Sequence, residues 1–376
     1  MPIYNFNPGP AMLPREVLLQ AQAELLDYQG LGYSILEMSH RSAPFETLLE
    51  EMRNDIRELL KVPGNYHILF CHGGARQQFA MVPMNLLTDN NKADYVVTGA
   101  WSRMAFDEAK KYGDIHIAAE PNKSDFTYTP DPKTWNIRPD TAYVHYTSNE
   151  TIHGVQFHFT PNLKVPLIAD MSSDLFTRPI DVSRYGLIYA AAQKNFGAAG
   201  LTLVIIREDL VKAPQALTPG LMHYQKQIET NSLYNTPPTF SWYLSALYLK
   251  WIKAQGGLSA LEKRNKEKSK VLYDYIDSTS FYHNPVHKTA RSWMNAPFTL
   301  AKRELDATFL AEATAAGLIG LKGHSSLGGM RASLYNPMNI EGAQALVKFM
   351  VQFEGKHSDS KKPAAKNTNQ MQIPGL

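Results

Sequence analysis

The sequence predicts an α/β protein: a large domain on a mostly parallel seven-stranded sheet, followed by a smaller α+β domain. Short apolar, β-branched or aromatic runs recur between residues 66 and 208, mostly separated by stretches long enough for a helix. That alternation yields a parallel sheet with helices on its faces. Beyond Gly256 the pattern changes to long amphipathic helices with isolated strands, and 376 residues are too many for one ordinary core.

In chain order, Pro8, Pro10 and Pro14 make residues 1–15 an extended segment. The large domain, 16–255, then opens with REVLLQAQAELLDY, apolar at helical spacing, and with FETLLEEMRNDIRELLKV, acidic early and stopped by Pro63 and Gly64. The strands follow as YHILFC, ADYVVTG, IHIAAE, AYVHYTS, VPLIAD, LIYAAA and LTLVIIRE. Only QKNFGAAG joins the last two, too short for a parallel crossover, so this pair is expected to run antiparallel. TFSWYLSALYLKWIKAQGG closes the large domain as a helix with a glycine stop. The small domain, 256–357, starts with LSALEKRNKEKSKVLYDYID and continues with a strand, a helix ending at Gly317, a strand and the helix EGAQALVKFMVQFE. The Ser/Lys/Asn-rich tail, 358–376, is expected to be disordered.

Composition narrows the function. Hydrophobic residues are 44% and charged residues 19%, a globular balance. The net charge of +3 comes from dispersed lysines, which argues against nucleic acid. Cys71 is the only cysteine, so neither an intrachain disulfide nor a cysteine metal cluster is available and a reducing compartment is implied. Twelve histidines contain no H-E-x-x-H pair, and no metal site is expected. No signal segment and no apolar stretch of membrane-spanning length appears, so a cytoplasmic protein is expected.

Chemistry is expected at the strand ends. Lys194 follows a largely apolar run and precedes a Gly/Ala-rich loop. Its stem should enter a buried site, where desolvation lowers the amine pKa and permits imine formation. A hairpin lysine is ordinarily a surface residue, so Lys194 needs partners. Asp170 ends a strand where open α/β sheets place ligands, and it can keep a pyridine nitrogen protonated or cap the following segment. HILFCHGGARQQF reads strand, glycine turn, helix, and aims N–H groups around Gly74, Ala75 and Arg76 at an anion. It has neither G-x-G-x-x-G nor G-K-[ST] spacing, which counts against a nicotinamide-dependent oxidoreductase. Trp101, past another strand end, can stack on a flat ring or serve as core.

With these residues in place, the chain resembles the phosphoserine aminotransferase family, class V of the fold-type I pyridoxal-phosphate enzymes. The resemblance runs from Asn5 to about His357 through NFNPGPAMLP, EMSHRS, HGGARQQF, GAWS, TSNETIHG, ADMSSD, RPIDVSRYG, AAQKN, NTPPTF and GGMRASLYN. It implies pyridoxal 5'-phosphate held by Lys194 as an imine, Asp170 on the ring nitrogen, Thr151 at the ring hydroxyl and Trp101 over the ring. It further implies a phosphate cup of Ala75, Arg76 and Gln193, completed by Asn235 and Thr236 from the other subunit of a homodimer. Arg331 would clamp the substrate carboxylate, with His40, Arg41, Arg76 and His324 recognising the substrate's side-chain anion. The implied substrates are L-glutamate and 3-phosphooxypyruvate, in serine biosynthesis, with 4-phosphooxy-L-threonine of pyridoxine biosynthesis as a further one. One departure stands out: the family commonly has Arg where this chain has Ser325, which leaves open a class V aminotransferase with altered acceptor specificity. A cysteine desulfurase or lyase is disfavoured because Cys71 falls in or beside a strand. A non-catalytic binding protein is disfavoured because Lys194, Asp170 and Arg331 are all present.

Overall fold

A computed structural model of the chain describes residues 2–121 and 126–358. The expectation for the tail therefore lies outside the described residues from 359 onward. Seven strands form the central sheet: β1 (Tyr66–Gly73), β2 (Lys92–Val96), β3 (Asp114–Ala119), β4 (Tyr143–Thr147), β5 (Leu167–Asp170), β6 (Leu187–Ala191) and β7 (Gly200–Arg207). Their spatial order is β1-β7-β6-β5-β4-β2-β3. β7 runs antiparallel to both β1 and β6, and the other pairings are parallel. The short loop after β6 thus has the consequence read from its length.

Helices cover both faces. On one side lie α1 (Arg15–Ala23), α2 (Ala43–Leu60) and α6 (Thr239–Ala254); on the other lie α3 (Ala75–Leu86), α4 (Ala100–Ala109) and α5 (Tyr224–Glu229). α2 shows why the sequence folds this way. Pro44 sits in its first turn, and Phe45, Leu48, Leu49, Met52, Ile56 and Leu60 fall on one buried stripe. Each such side chain contributes about 1.5–3 kcal/mol on burial. The first helix is shorter than the apolar spacing suggested, ending at Ala23. Beyond it the chain turns at Gln29, whose φ is 53°, and Asp27 Oδ1 accepts the Gly32 N–H at 2.7 Å, so local turn chemistry overrides the helical pattern.

Gly256, with φ of 89°, separates α6 from α7 (Gly257–Ser278). A second core follows, with α8 (Asp306–Ala315) and α9 (Ile340–His357) around an antiparallel sheet of β8 (Tyr282–His283), β9 (Asn295–Leu300) and β10 (Met330–Ser333). The N-terminal segment belongs to this core. Tyr4–Asn5 pair with Leu318–Ile319, and Phe6 is buried among Phe298, Phe309 and Leu346. The chain then crosses to the central sheet, where the Ala11 N–H donates to Gln193 O at 2.9 Å. The first residues therefore bridge both cores beside Lys194.

Candidate active site

The carboxyl ends of β1, β4, β5 and β6 open into one cavity of about 390 Å³. Its walls include Ala75, Arg76, Trp101, Thr151, Asp170, Gln193, Lys194, His324 and Arg331. Nine positions singled out in the sequence thus come together, from segments far apart in the chain. His40, Arg41, Asn235 and Thr236 do not line it. His40 and Arg41 lie just before α2, and Asn235 and Thr236 are exposed in the loop between α5 and α6.

Lys194 sits in the turn after β6, its amine donating to Thr151 Oγ1 at 2.7 Å. Burial lowers its pKa to about 8, against the raising pull of Asp170. Asp170, 4% exposed, ends β5 and accepts the Ser172 N–H at 2.9 Å. Burial raises its pKa, opposed by that hydrogen bond and by Lys194. The capping use foreseen for Asp170 is met, one oxygen holding the turn, and the carboxylate lines the cavity wall. A buried carboxylate of this kind suits a protonated ring nitrogen.

Gly74 precedes α3, so the N–H groups of Ala75 and Arg76 face the cavity from a helix N-terminus. The Arg76 guanidinium lies 5.4 Å from the Trp101 ring centroid and the Lys194 amine 5.5 Å. Opposite, Arg331 on β10 is 6% exposed, and its Nη1 donates to the Thr151 carbonyl at 3.3 Å. Arg331 Nε and Gln193 Oε1 are buried without a partner among the described residues, and Arg331 Nε remains available to an incoming carboxylate. This donor set fits pyridoxal phosphate: an amine for the carbonyl, a carboxylate for the ring nitrogen, a helix end for the phosphate and an indole for the ring face.

Sequence reasoning passed over several wall residues. Pro8 and Gly9 roof the cavity, and a Cβ on Gly9, whose φ is 130°, would lie 3.1 Å from Lys194 Cγ. Asn149, Ser172 and Ser173 also line it, and Glu150 is buried just behind Thr151. For Asn149 and Glu150 the polar run SNET directly after β4 was the available signal. Cys71 lies within β1, and burial pushes its thiol up to about 12, so it is no nucleophile.

The chain is similar to known proteins over nearly its whole length. The aminotransferase class-V family matches residues 3–346. A phosphoserine aminotransferase of Nitrosomonas europaea is 53% identical over 365 residues, covering 95% of this chain and 99% of that protein. One from Pseudomonas aeruginosa is 50% identical over 94% of this chain and 98% of its own length. The solved phosphoserine aminotransferase from Bacillus circulans subsp. alkalophilus superposes with a TM-score of 0.92 at 47% identity, over 94% of this chain and 99% of that one. A PLP-bound phosphoserine aminotransferase from Trichomonas vaginalis gives 0.90 at 40% identity, over 93% and 99%. With the lysine, carboxylate, helix end and arginine already convergent on one cavity, the chain belongs to the class-V aminotransferases, pyridoxal-phosphate enzymes, in their phosphoserine aminotransferase branch.

Proposed function

We propose that this chain transfers the amino group between L-glutamate and 3-phosphooxypyruvate, giving O-phospho-L-serine and 2-oxoglutarate. One observation carries the reading. The Lys194 amine and the Arg331 guanidinium are both anchored on Thr151, one on its hydroxyl and one on its carbonyl. The group that moves the proton and the group that grips the substrate carboxylate therefore share one reference point.

Bound pyridoxal phosphate supplies the electron sink and stores the amino group between the two half-reactions. Ala75 and Arg76, at the start of α3, would hold its phosphate, Asp170 would keep its ring nitrogen protonated, and Trp101 would stack on its ring. Arg331 binds the α-carboxylate through a planar fork, which orients the substrate Cα toward Lys194. With a pKa of about 8, the Lys194 amine has an appreciable neutral fraction near neutral pH, so Nζ removes the Cα proton in one direction and returns it in the other. Arg76 and His324 are the lining groups able to meet the substrate's own anion. Asn235, Thr236, His40 and Arg41 act from the second subunit of a homodimer. In support, Asn235, Thr236 and Arg41 are exposed in one chain, and none of the four lines its cavity.

Lys194→Ala is the direct test. It should abolish the violet-edge absorption of the purified protein and turnover of glutamate with 3-phosphooxypyruvate. Activity within about twofold of the natural protein would overturn the assignment.

A second reading, altered acceptor specificity, has one observation in its favour. Ser325 sits exposed on the turn where His324 Nδ1 pairs with Ser326 Oγ at 2.8 Å, and brings no charge. A hydrogen bond to a charged group contributes about 1.5–3 kcal/mol. Ser325→Arg should therefore lower KM for the phosphorylated acceptor roughly ten- to a hundredfold relative to hydroxypyruvate. An unchanged ratio would mean that other cations already serve the phosphate.

A further inference from the structure

Glu150 is 0% exposed and sits directly before Thr151. Its Oε1 accepts the Ser102 N–H at 2.8 Å and the Ser102 hydroxyl at 2.6 Å, and its Oε2 accepts the Trp101 N–H at 3.0 Å. These are first-turn donors of α4, which an N-cap side chain would ordinarily satisfy. The N-cap here is Gly99, and a Cβ at that position would lie 2.4 Å from Glu150 Cδ. The missing side chain thus makes room for a carboxylate brought from another element. The preceding donor, the Ala100 N–H, goes to His153 Nδ1 at 3.3 Å. The turn carrying both acceptors is closed by the Gly154 N–H on the Glu150 carbonyl at 2.8 Å. Three successive N–H groups of α4 are consequently held by the segment that also presents Thr151 to Lys194.

We propose that Glu150 is a positioning residue for transamination: its carboxylate caps α4 in place of a side chain at Gly99, fixes Trp101 against the cofactor ring, and adds a fixed negative charge to the Lys194 site. The proposal rests on the cofactor and reaction assigned above. Donors on both oxygens, at a helix N-terminus, are the surroundings of a carboxylate rather than of a carboxylic acid. Burial pulls the other way, raising the Glu150 pKa. Through space the carboxylate favours the protonated form of Lys194. His153, whose pKa burial lowers to about 4, is neutral and so able to accept.

The test uses the cofactor-loaded enzyme with Glu150→Gln, which keeps shape and removes charge. The variant should retain the visible band, with its pH midpoint lowered by about one unit. The band's circular dichroism should weaken as Trp101 loses its anchor. kcat should fall roughly tenfold or more while KM for glutamate stays within about twofold. An unchanged midpoint and unchanged dichroism, with only a lower melting temperature, would show a purely structural role and overturn the proposal. Should Glu150→Gln not fold, Glu150→Asp decides: it keeps the charge but shortens the reach, so the midpoint should stay put while dichroism and kcat fall. Dichroism and kcat equal to the natural protein's would overturn it. A natural protein with no visible band would instead count against the cofactor assignment and leave Glu150 aside.

Discussion

At the scale of single residues, Lys194 carries a conflict between stability and function. Burial lowers its pKa from 10.5 to about 8, so in the cofactor-free protein the folded chain binds fewer protons than the unfolded chain between those values. Stability contributed by this residue therefore rises with pH across that window, and the full penalty applies below about 8. At 1.36 kcal/mol per unit the change across the window is roughly 3 kcal/mol. Cofactor-free protein and Lys194→Met, compared by urea unfolding from about pH 7 to pH 10, should differ by a gap that narrows as pH rises. A constant gap would mean that the amine is solvated and not poised as a base. The same property makes the lysine useful, since an amine comfortable with its charge would be a poor proton acceptor.

Elements decide where such residues point, and here the sequence was only partly legible. Lys194 and Asp170 could be read because a strand has a clear apolar run and its carboxyl end follows from direction alone. Trp101 could be read the same way, just past a strand end, but Arg331 carried no such local mark and it took the match of whole blocks to place it. Glu150 escaped because its partners, Trp101 and Ser102, lie 49 and 48 positions away in sequence. α4 itself offers a misleading signal, a glycine where a capping side chain is expected. That vacancy is the evidence once the fold is known. Gly99→Ala should cost about 1–3 kcal/mol, because the Cβ would meet a buried carboxylate that has no freedom to withdraw. Denaturant unfolding checks the cost, and a loss below about 0.5 kcal/mol would show that the α4 cap is loose.

For the whole molecule, the two cores meet around the site, and the joints are polar. Asn195, next to Lys194, accepts the Asn336 N–H at 3.2 Å, and Asn265 Nδ2 reaches both Thr177 O and Asn336 Oδ1. Tyr335 OH donates to the Pro8 carbonyl at 2.7 Å, tying the roof over Lys194 to the strand region that carries Arg331. Such bonds fix the two substrate-facing walls at one separation, yet they complete only part of the site. Asn235 and Thr236, proposed above to act on the phosphate side, do not line their own cavity, and Leu18, Leu19, Leu26, Leu31 and Leu36 expose apolar surface on the same molecule. If symmetric pairs share sites, two defects on different chains can be separated. Lys194→Ala alone has no proton-moving amine, and an Asn235→Ala/Thr236→Ala chain alone should hold cofactor weakly. Unfolded together in equal amounts and refolded, half of the dimers are mixed. Each mixed dimer carries one site with Lys194 from one chain and an intact Asn235–Thr236 pair from the other. Turnover should recover to about one quarter of the natural protein's, well above the mean of the two parents. Activity equal to that mean would show that each chain builds its site alone.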